Sequence, residues 1–158
     1  MSGCLDSVHC PELELGERRN AIASVTSAVF FFIGWWLIIG VAALYPSPYF
    51  NNAYYTCGVI GTISMFMINA VSNSQVRGDA MTEGLLGTRG ARVWLLLGFV
   101  LGFGALIAAI WILFQAFLVS GAPNSDDSRP GVCLFFQNFF ILVASLIYKF
   151  GRTEDLWG

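Results

Sequence analysis

The chain has 158 residues, 56% of them hydrophobic and 11% charged, with a net charge of −2. A soluble globular domain of this size does not combine so high an apolar share with so few charges, so the composition points to one small membrane domain. No basic patch is dense enough for nucleic acid, which is excluded as a partner.

The amino-terminal arm, about residues 1–20, carries acids before any apolar run and is not read as a cleavable signal. The first apolar stretch is then expected to act as its own anchor. Pro11, followed by Glu12, Leu13, Glu14, Leu15, Gly16 and Glu17, has the character of a helix start and predicts a short interfacial helix, after which Asn20 caps the first span. Cys4 and Cys10 flank His9, but zinc requires a closed set of four ligands, so no metal site is read there.

Four long apolar stretches follow, at about 21–45, 54–71, 93–119 and 132–150, each near or above the ~20 residues that cross ~30 Å of hydrocarbon. The fold class is therefore all-α: four transmembrane helices in an antiparallel bundle, forming a single domain. Pro46 and Pro48 break the first span, while Tyr45, Tyr49, Tyr54 and Tyr55 form an interfacial belt. The short connection makes spans one and two antiparallel neighbours. The second span is the most polar and ends in Asn69, Ser72 and Asn73, a face unsuited to bare lipid. Gly78, Gly84, Gly87 and Gly90 then punctuate a charged turn, without the Gly-Lys-Ser/Thr of a phosphate loop.

In the third span Gly98, Gly102, Ala105 and Ala109 fall on one helical face, and this small-residue stripe is read as a packing seam for another helix. A polar turn at 120–130 leads to the fourth span, whose Lys149 and Arg152 are expected to extend to the interface. Cys57 and Cys133 lie at similar depth, where a disulfide is possible and two small buried apolar residues are the plainer reading.

Charge gives the orientation. Arg18, Arg19, Arg77, Arg89, Arg92, Lys149 and Arg152 fall on one side of the four spans and only Arg129 on the other. The excess of basic residues in cytoplasmic loops places both termini, the 1–20 arm and the 151–158 tail in the cytoplasm.

Polar side chains inside hydrocarbon need partners. By depth, Gln115 can meet Gln137 and Asn138, and Asn69 is level with Ser24, Thr26 and Ser27. Such bonds are each worth ~0.6 to 2 kcal/mol and set helix register. No span carries a central charge, Lys149 lying at the end of the fourth, so a proton relay, voltage sensor or ion-coupled carrier is disfavoured. No nucleophile, base or metal set can be assembled, and the protein is expected to be neither an enzyme nor a holder of a cofactor or metal.

Several strings carry a wider likeness: Arg19-Asn20-Ala21-Ile22-Ala23-Ser24, Gly34-Trp35-Trp36, Thr56-Cys57-Gly58-Val59-Ile60, Met67-Ile68-Asn69-Ala70-Val71-Ser72-Asn73, Gln75-Val76-Arg77-Gly78-Asp79, Gly90-Ala91-Arg92, Phe135-Phe136-Gln137-Asn138 and Phe150-Gly151-Arg152-Thr153-Glu154-Asp155-Leu156-Trp157. In order and spacing, over nearly the whole chain, they resemble the transmembrane protein 50 family. That resemblance implies a four-span protein of endoplasmic reticulum, Golgi and endosomal membranes. It also implies kinship with a fungal vacuolar-sorting protein that works beside a second small polytopic protein in late endosome to vacuole traffic.

The leading expectation is a non-catalytic subunit or adaptor that binds other integral membrane proteins in a hetero-oligomeric complex and supports vesicular trafficking. Asn69, Asn73, Arg77 and Asp79 would offer a cytoplasmic contact face, and Gly98 and Gly102 the seam. Arg152, Glu154, Asp155 and Trp157 would form a docking tail, with Arg152 on acids or lipid phosphates. The alternative is an accessory or anchoring subunit of a lipid-transfer complex, with membrane phospholipid in a groove lined by Asn69, Gln115 or Gln137. A small-solute channel or transporter requires a continuous hydrophilic path and ranks last.

Overall fold

The computed structural model describes residues 3–45, 50–78, 87–119 and 127–152, with the backbone alone for 3–14. All regular structure among the described residues is helical. Helix α1 runs Gly3–Leu44, α2 Tyr55–Ala70 after a 3-10 turn Asn52–Tyr54, α3 Asn73–Arg77, α4 Gly87–Ile112 and α5 Arg129–Gly151. A π-helical turn, Leu113–Leu118, continues α4.

Among the described residues three segments are long and apolar enough to cross a membrane: Leu15–Leu44, Gly87–Leu118 and Arg129–Gly151. Helix α2 has 16 residues, a rise of about 24 Å against ~30 Å of hydrocarbon. The expected break between an arm helix and the first span is absent, because α1 is continuous from Gly3 and Asn20 lies within it. Residues 12–19 contain only one weak helix former, Gly16, so nothing stops the helix between Pro11 and the apolar run.

Helix α5 is the centre of the bundle. It packs against α1, α2 and α4, and buries 44% of its apolar window where the other two long helices bury 22%. Small residues set these contacts. On α1, Ala23, Ser27, Gly34, Ile38 and Val41 share one buried face, and a Cβ on Gly34 would stand 3.1 Å from the Gln137 carbonyl oxygen of α5. On α4, Ala91, Gly98, Gly102, Ala105 and Ala109 are the buried residues, turned to α2 and α5.

Helices α1 and α2 are consecutive, yet α1 packs on α5 instead, which corrects the expected pairing. The seven residues from 45 to 51 reach about 23 Å when extended, more than two helix spacings of 8–10 Å, so the connection can pass over α5. A polar link between the two helices runs from Trp35 Nε1 to Thr62 Oγ1 at 3.2 Å.

Many large apolar side chains point outward: Phe32, Trp36, Phe66 and Trp111 are 66–75% exposed. The interior mixes Ile38, Ile68, Leu134 and Ile141 with Ala, Ser and amides. An apolar outer surface suits a solvent as apolar as the side chains it touches.

The two ends of the bundle differ. One gathers Arg18, Arg19, Arg77, Arg89, Arg92, Lys149 and Arg152, tied across helices by Arg19 Nε to the Gly151 carbonyl (3.0 Å) and Arg92 Nε to the Val76 carbonyl (2.9 Å). The other is aromatic: Phe50, fully buried, sits between Tyr54, Tyr55 and Phe117 with centroids 5.2–6.4 Å apart. Tyr54 and Tyr55 therefore pack inward around Phe50 rather than forming a free belt, and Tyr49 lies outside the described residues.

Candidate functional site

Polar side chains run the length of α5 on its buried side: Gln137, Asn138, Ser145 and Lys149. Their spacings of one, seven and four keep them within one helical stripe. Ser27 Oγ donates to the Ala144 carbonyl at 2.7 Å, and Asn69 Nδ2 donates to the Met65 carbonyl at 2.8 Å and to Ser145 Oγ at 3.4 Å. Asn69 thus bonds to α5, and the expected match with Ser24, Thr26 and Ser27 on α1 is not made. Ser24 is half-buried.

Helix α2 offers two glycines to the amides of α5. A Cβ on Gly58 would lie 2.3 Å from Gln137 Nε2, and one on Gly61 would lie 3.3 Å from Asn138 Oδ1. Asn138 Nδ2 turns back to the Leu134 carbonyl at 3.0 Å. Gln137 Nε2 and Oε1, Asn138 Oδ1 and Asn69 Oδ1 are buried without a hydrogen-bond partner. Each such atom carries a desolvation penalty of about 1–3 kcal/mol. Gln115, expected to reach this pair, is instead exposed on the π turn. It stands six residues beyond Ala109, about 120° off the small-residue face, so equal depth does not bring it to α5.

The small-residue seam is closed within the chain. A Cβ on Gly98 would meet Ile68 N at 3.2 Å and Cγ1 at 2.9 Å, and one on Gly102 would meet Ser64 Oγ at 2.6 Å. Ser64 Oγ also donates to the Gly98 carbonyl at 2.6 Å. The partner of Gly98 and Gly102 is therefore α2, which leaves no stripe there for an outside helix.

The basic end is built on the termination of α2. Val71 turns extended, with φ −106° and ψ 130°, and its carbonyl accepts from the Lys149 ammonium. Lys149 is 4% exposed, so it turns inward rather than out to the interface. The cause is a helix C-terminus whose last carbonyls lack intrahelical donors and carry partial negative charge. Ser72 then caps α3 in a reciprocal capping box with Gln75, and Gly78, at φ 83°, ends it. Asn73 and Arg77 lie on this short helix, beside the start of α4.

Between α2 and α5 an open-sided groove of about 420 Å³ is lined by Met65, Phe66, Asn69, Ala70 and Tyr148. The Arg152 guanidinium stands 4.6 Å from the ring centroid of Tyr148, one of these lining residues. Asp79, Glu154, Asp155 and Trp157 lie outside the described residues.

At the aromatic end Tyr45 donates its hydroxyl to Asp127 Oδ2, and the Arg129 backbone N–H donates to Asp127 Oδ1 at 3.0 Å. The Tyr45 hydroxyl first, and the Arg129 N–H second, hold the Asp127 carboxyl below its ordinary range, while the same bond pushes Tyr45 up. Arg129 Nε lies 3.8 Å from Asp127 Oδ1. Cys57 and Cys133 are both free thiols. Among the described residues no group of three His, Cys, Asp or Glu side chains converges as a metal site would.

Sequence reasoning missed Gly58 and Gly61 as the floor under the α5 amides, Ser64 as the tie to α4, and Phe50 as the core of the aromatic end. The spacing of Gly58 and Gly61 by three in a short apolar helix was the available signal.

No solved structure matches the chain. A "Transmembrane protein 50 homolog" of Dictyostelium discoideum is 29% identical over 139 residues, covering 82% of this chain and 88% of that protein. The family model described as "Uncharacterised protein family (UPF0220)" matches residues 4–157. With that match over nearly its full length, the chain belongs to the UPF0220 family, that of transmembrane protein 50.

Proposed function

We propose that the protein is a non-catalytic integral membrane subunit that crosses the bilayer four times with its basic end in the cytoplasm. There it acts as an adaptor for other membrane proteins in late endosome to vacuole or lysosome traffic, within endoplasmic reticulum, Golgi or endosomal membranes. The observation that carries this reading is the separation of charge along the bundle axis, seven basic residues at one end and Arg129 at the other, around an apolar outer surface. A soluble enzyme has no use for that distribution, whereas the positive-inside rule calls for it.

The proposed partner contact shifts away from the small-residue seam. The seam at Gly98 and Gly102 is occupied by α2, so a partner must use the cytoplasmic rim around Asn73 and Arg77 or the outward apolar faces of α1 and α4. Gentle extraction from native membranes followed by mass spectrometry tests the reading. A reproducible stoichiometric partner, released by Arg77→Glu and retained by a change at Gly40 on the far half of α1, is the expected result. A protein recovered alone and monodisperse would overturn it.

A further inference from the structure

The groove between α2 and α5 combines three properties that a protein helix does not need and an amphiphile does. Its wall is apolar along Met65, Phe66, Ala70 and the Tyr148 ring. An exposed cation, Arg152, is laid over the ring of Tyr148, one of the groove's lining residues. Its one wall amide, Asn69, keeps Oδ1 without a partner. A guanidinium held over an aromatic ring still has N–H groups to offer, and these can grip a phosphate through paired hydrogen bonds.

Size and level narrow the occupant. The groove's volume of about 420 Å³ falls among sites for small ligands, roughly 300–1,000 Å³. Along α2 it runs only from Met65 to Ala70, a rise of about 7.5 Å, too short a bed for a membrane-crossing helix. It ends level with the termini of α2 and α5, where the apolar wall gives way to basic side chains, as the acyl region of a leaflet gives way to headgroups. A second opening of about 280 Å³ lies at the aromatic end beside Trp36, Leu44, Tyr45, Cys133 and Arg129. Its arginine already faces Asp127 at 3.8 Å, so an anion gains less there.

We infer that the groove between α2 and α5 is a binding site for one anionic phospholipid, with an acyl chain along Met65, Phe66 and Ala70 and the phosphate on Arg152. The inference rests on the membrane reading of the bundle and not on any protein partner. Only a membrane leaflet rich in anionic headgroups supplies this ligand at the basic end, and each arginine near such a surface adds to the attraction.

Native mass spectrometry of the full chain in mild detergent, titrated with phosphatidylserine or phosphatidylcholine, reads the site directly. The wild type should hold one phosphatidylserine per chain about fivefold more tightly than phosphatidylcholine. Arg152→Gln should erase that preference and weaken both lipids, phosphatidylserine the more, since both carry the phosphate that Arg152 holds and only phosphatidylserine is net anionic. Ala70→Phe, a change at an exposed groove residue that leaves the interior intact, should remove both. Equal retention of the two lipids by the wild type would overturn the inference, as would an Ala70→Phe protein that binds both normally. A dimer abolished by Ala70→Phe would give the groove to a second copy instead. An integral protein that retains no lipid sinks the groove alone, whereas a chain that alkaline carbonate strips from membranes sinks the four-span reading with it.

Discussion

Gln137 is fully buried with neither side-chain polar atom bonded, and it lies on a glycine. The close approach of Gly58 is what makes room for it, since a methyl there would lie within 2.9 Å of three side-chain atoms of Gln137. Gly58→Ala should therefore lower stability by about 1–3 kcal/mol through overpacking. The partner change separates this from a plain loss of glycine: Gln137→Ala removes the obstructing amide, and in that background Gly58→Ala should cost little. Thermal unfolding of the four proteins in one detergent measures the coupling, and equal costs in both backgrounds would refute the contact. The sequence made Gln137 legible as an amide inside hydrocarbon, because composition and depth need only the chain. Its neighbour was not legible, because facing requires the rotation of two helices. Gln115 was misplaced for the same reason, by matching depth without azimuth.

At the scale of elements, the ends of the helices hold the bundle in register. Lys149 donates to the Val71 carbonyl where α2 stops short, so Lys149→Met leaves a buried acceptor unpaired and the negative end of α2 uncompensated. The expected loss is about 1–3 kcal/mol, seen as a lower unfolding temperature, and Lys149→Arg should recover part of it. An unchanged unfolding temperature in Lys149→Met would show that the bond holds nothing. At the opposite end Tyr45 joins the end of α1 to Asp127 ahead of α5. Asp127 is held below its ordinary value, chiefly by that hydroxyl, so its contribution is complete above the unfolded carboxylate range and is lost as pH falls through the lowered value. The latch should persist in mildly acidic compartments. Tyr45→Phe should raise the Asp127 titration back toward the ordinary carboxylate range, which carbon NMR of the labelled carboxyl can follow; an unmoved titration would assign the shift to Arg129. Chain order suggested α1 beside α2, yet a connection long enough to pass over a helix frees packing from sequence. The pairing was decided by which faces carry small residues, and the polar stripe of α5 selected it for the interior.

For the whole molecule, the ties fix relative direction without reference to a membrane. Arg19 reaches Gly151, Lys149 reaches Val71 and Arg92 reaches Val76 at one end, while Tyr45 reaches Asp127 at the other. The start of the α1 span and the end of α5 are therefore neighbours, so once inserted as a bundle both face one compartment whichever it is. Which compartment is a matter of charge, and the rule that counts arginine and lysine near span ends gives the cytoplasm as an expectation that needs no fold. The two arguments make separate predictions. Tags on both termini should be digested together by protease added to sealed microsomes, since geometry demands a common side and charge demands the outer one. Replacing Arg18 and Arg19 with Gln, and Ser125 and Ser128 with Lys, shifts the basic balance toward the other end. A fraction of chains should then protect both tags at once. Protection of one tag without the other would overturn the proposed four crossings, whereas full digestion despite the exchange would show that something other than charge orients the bundle.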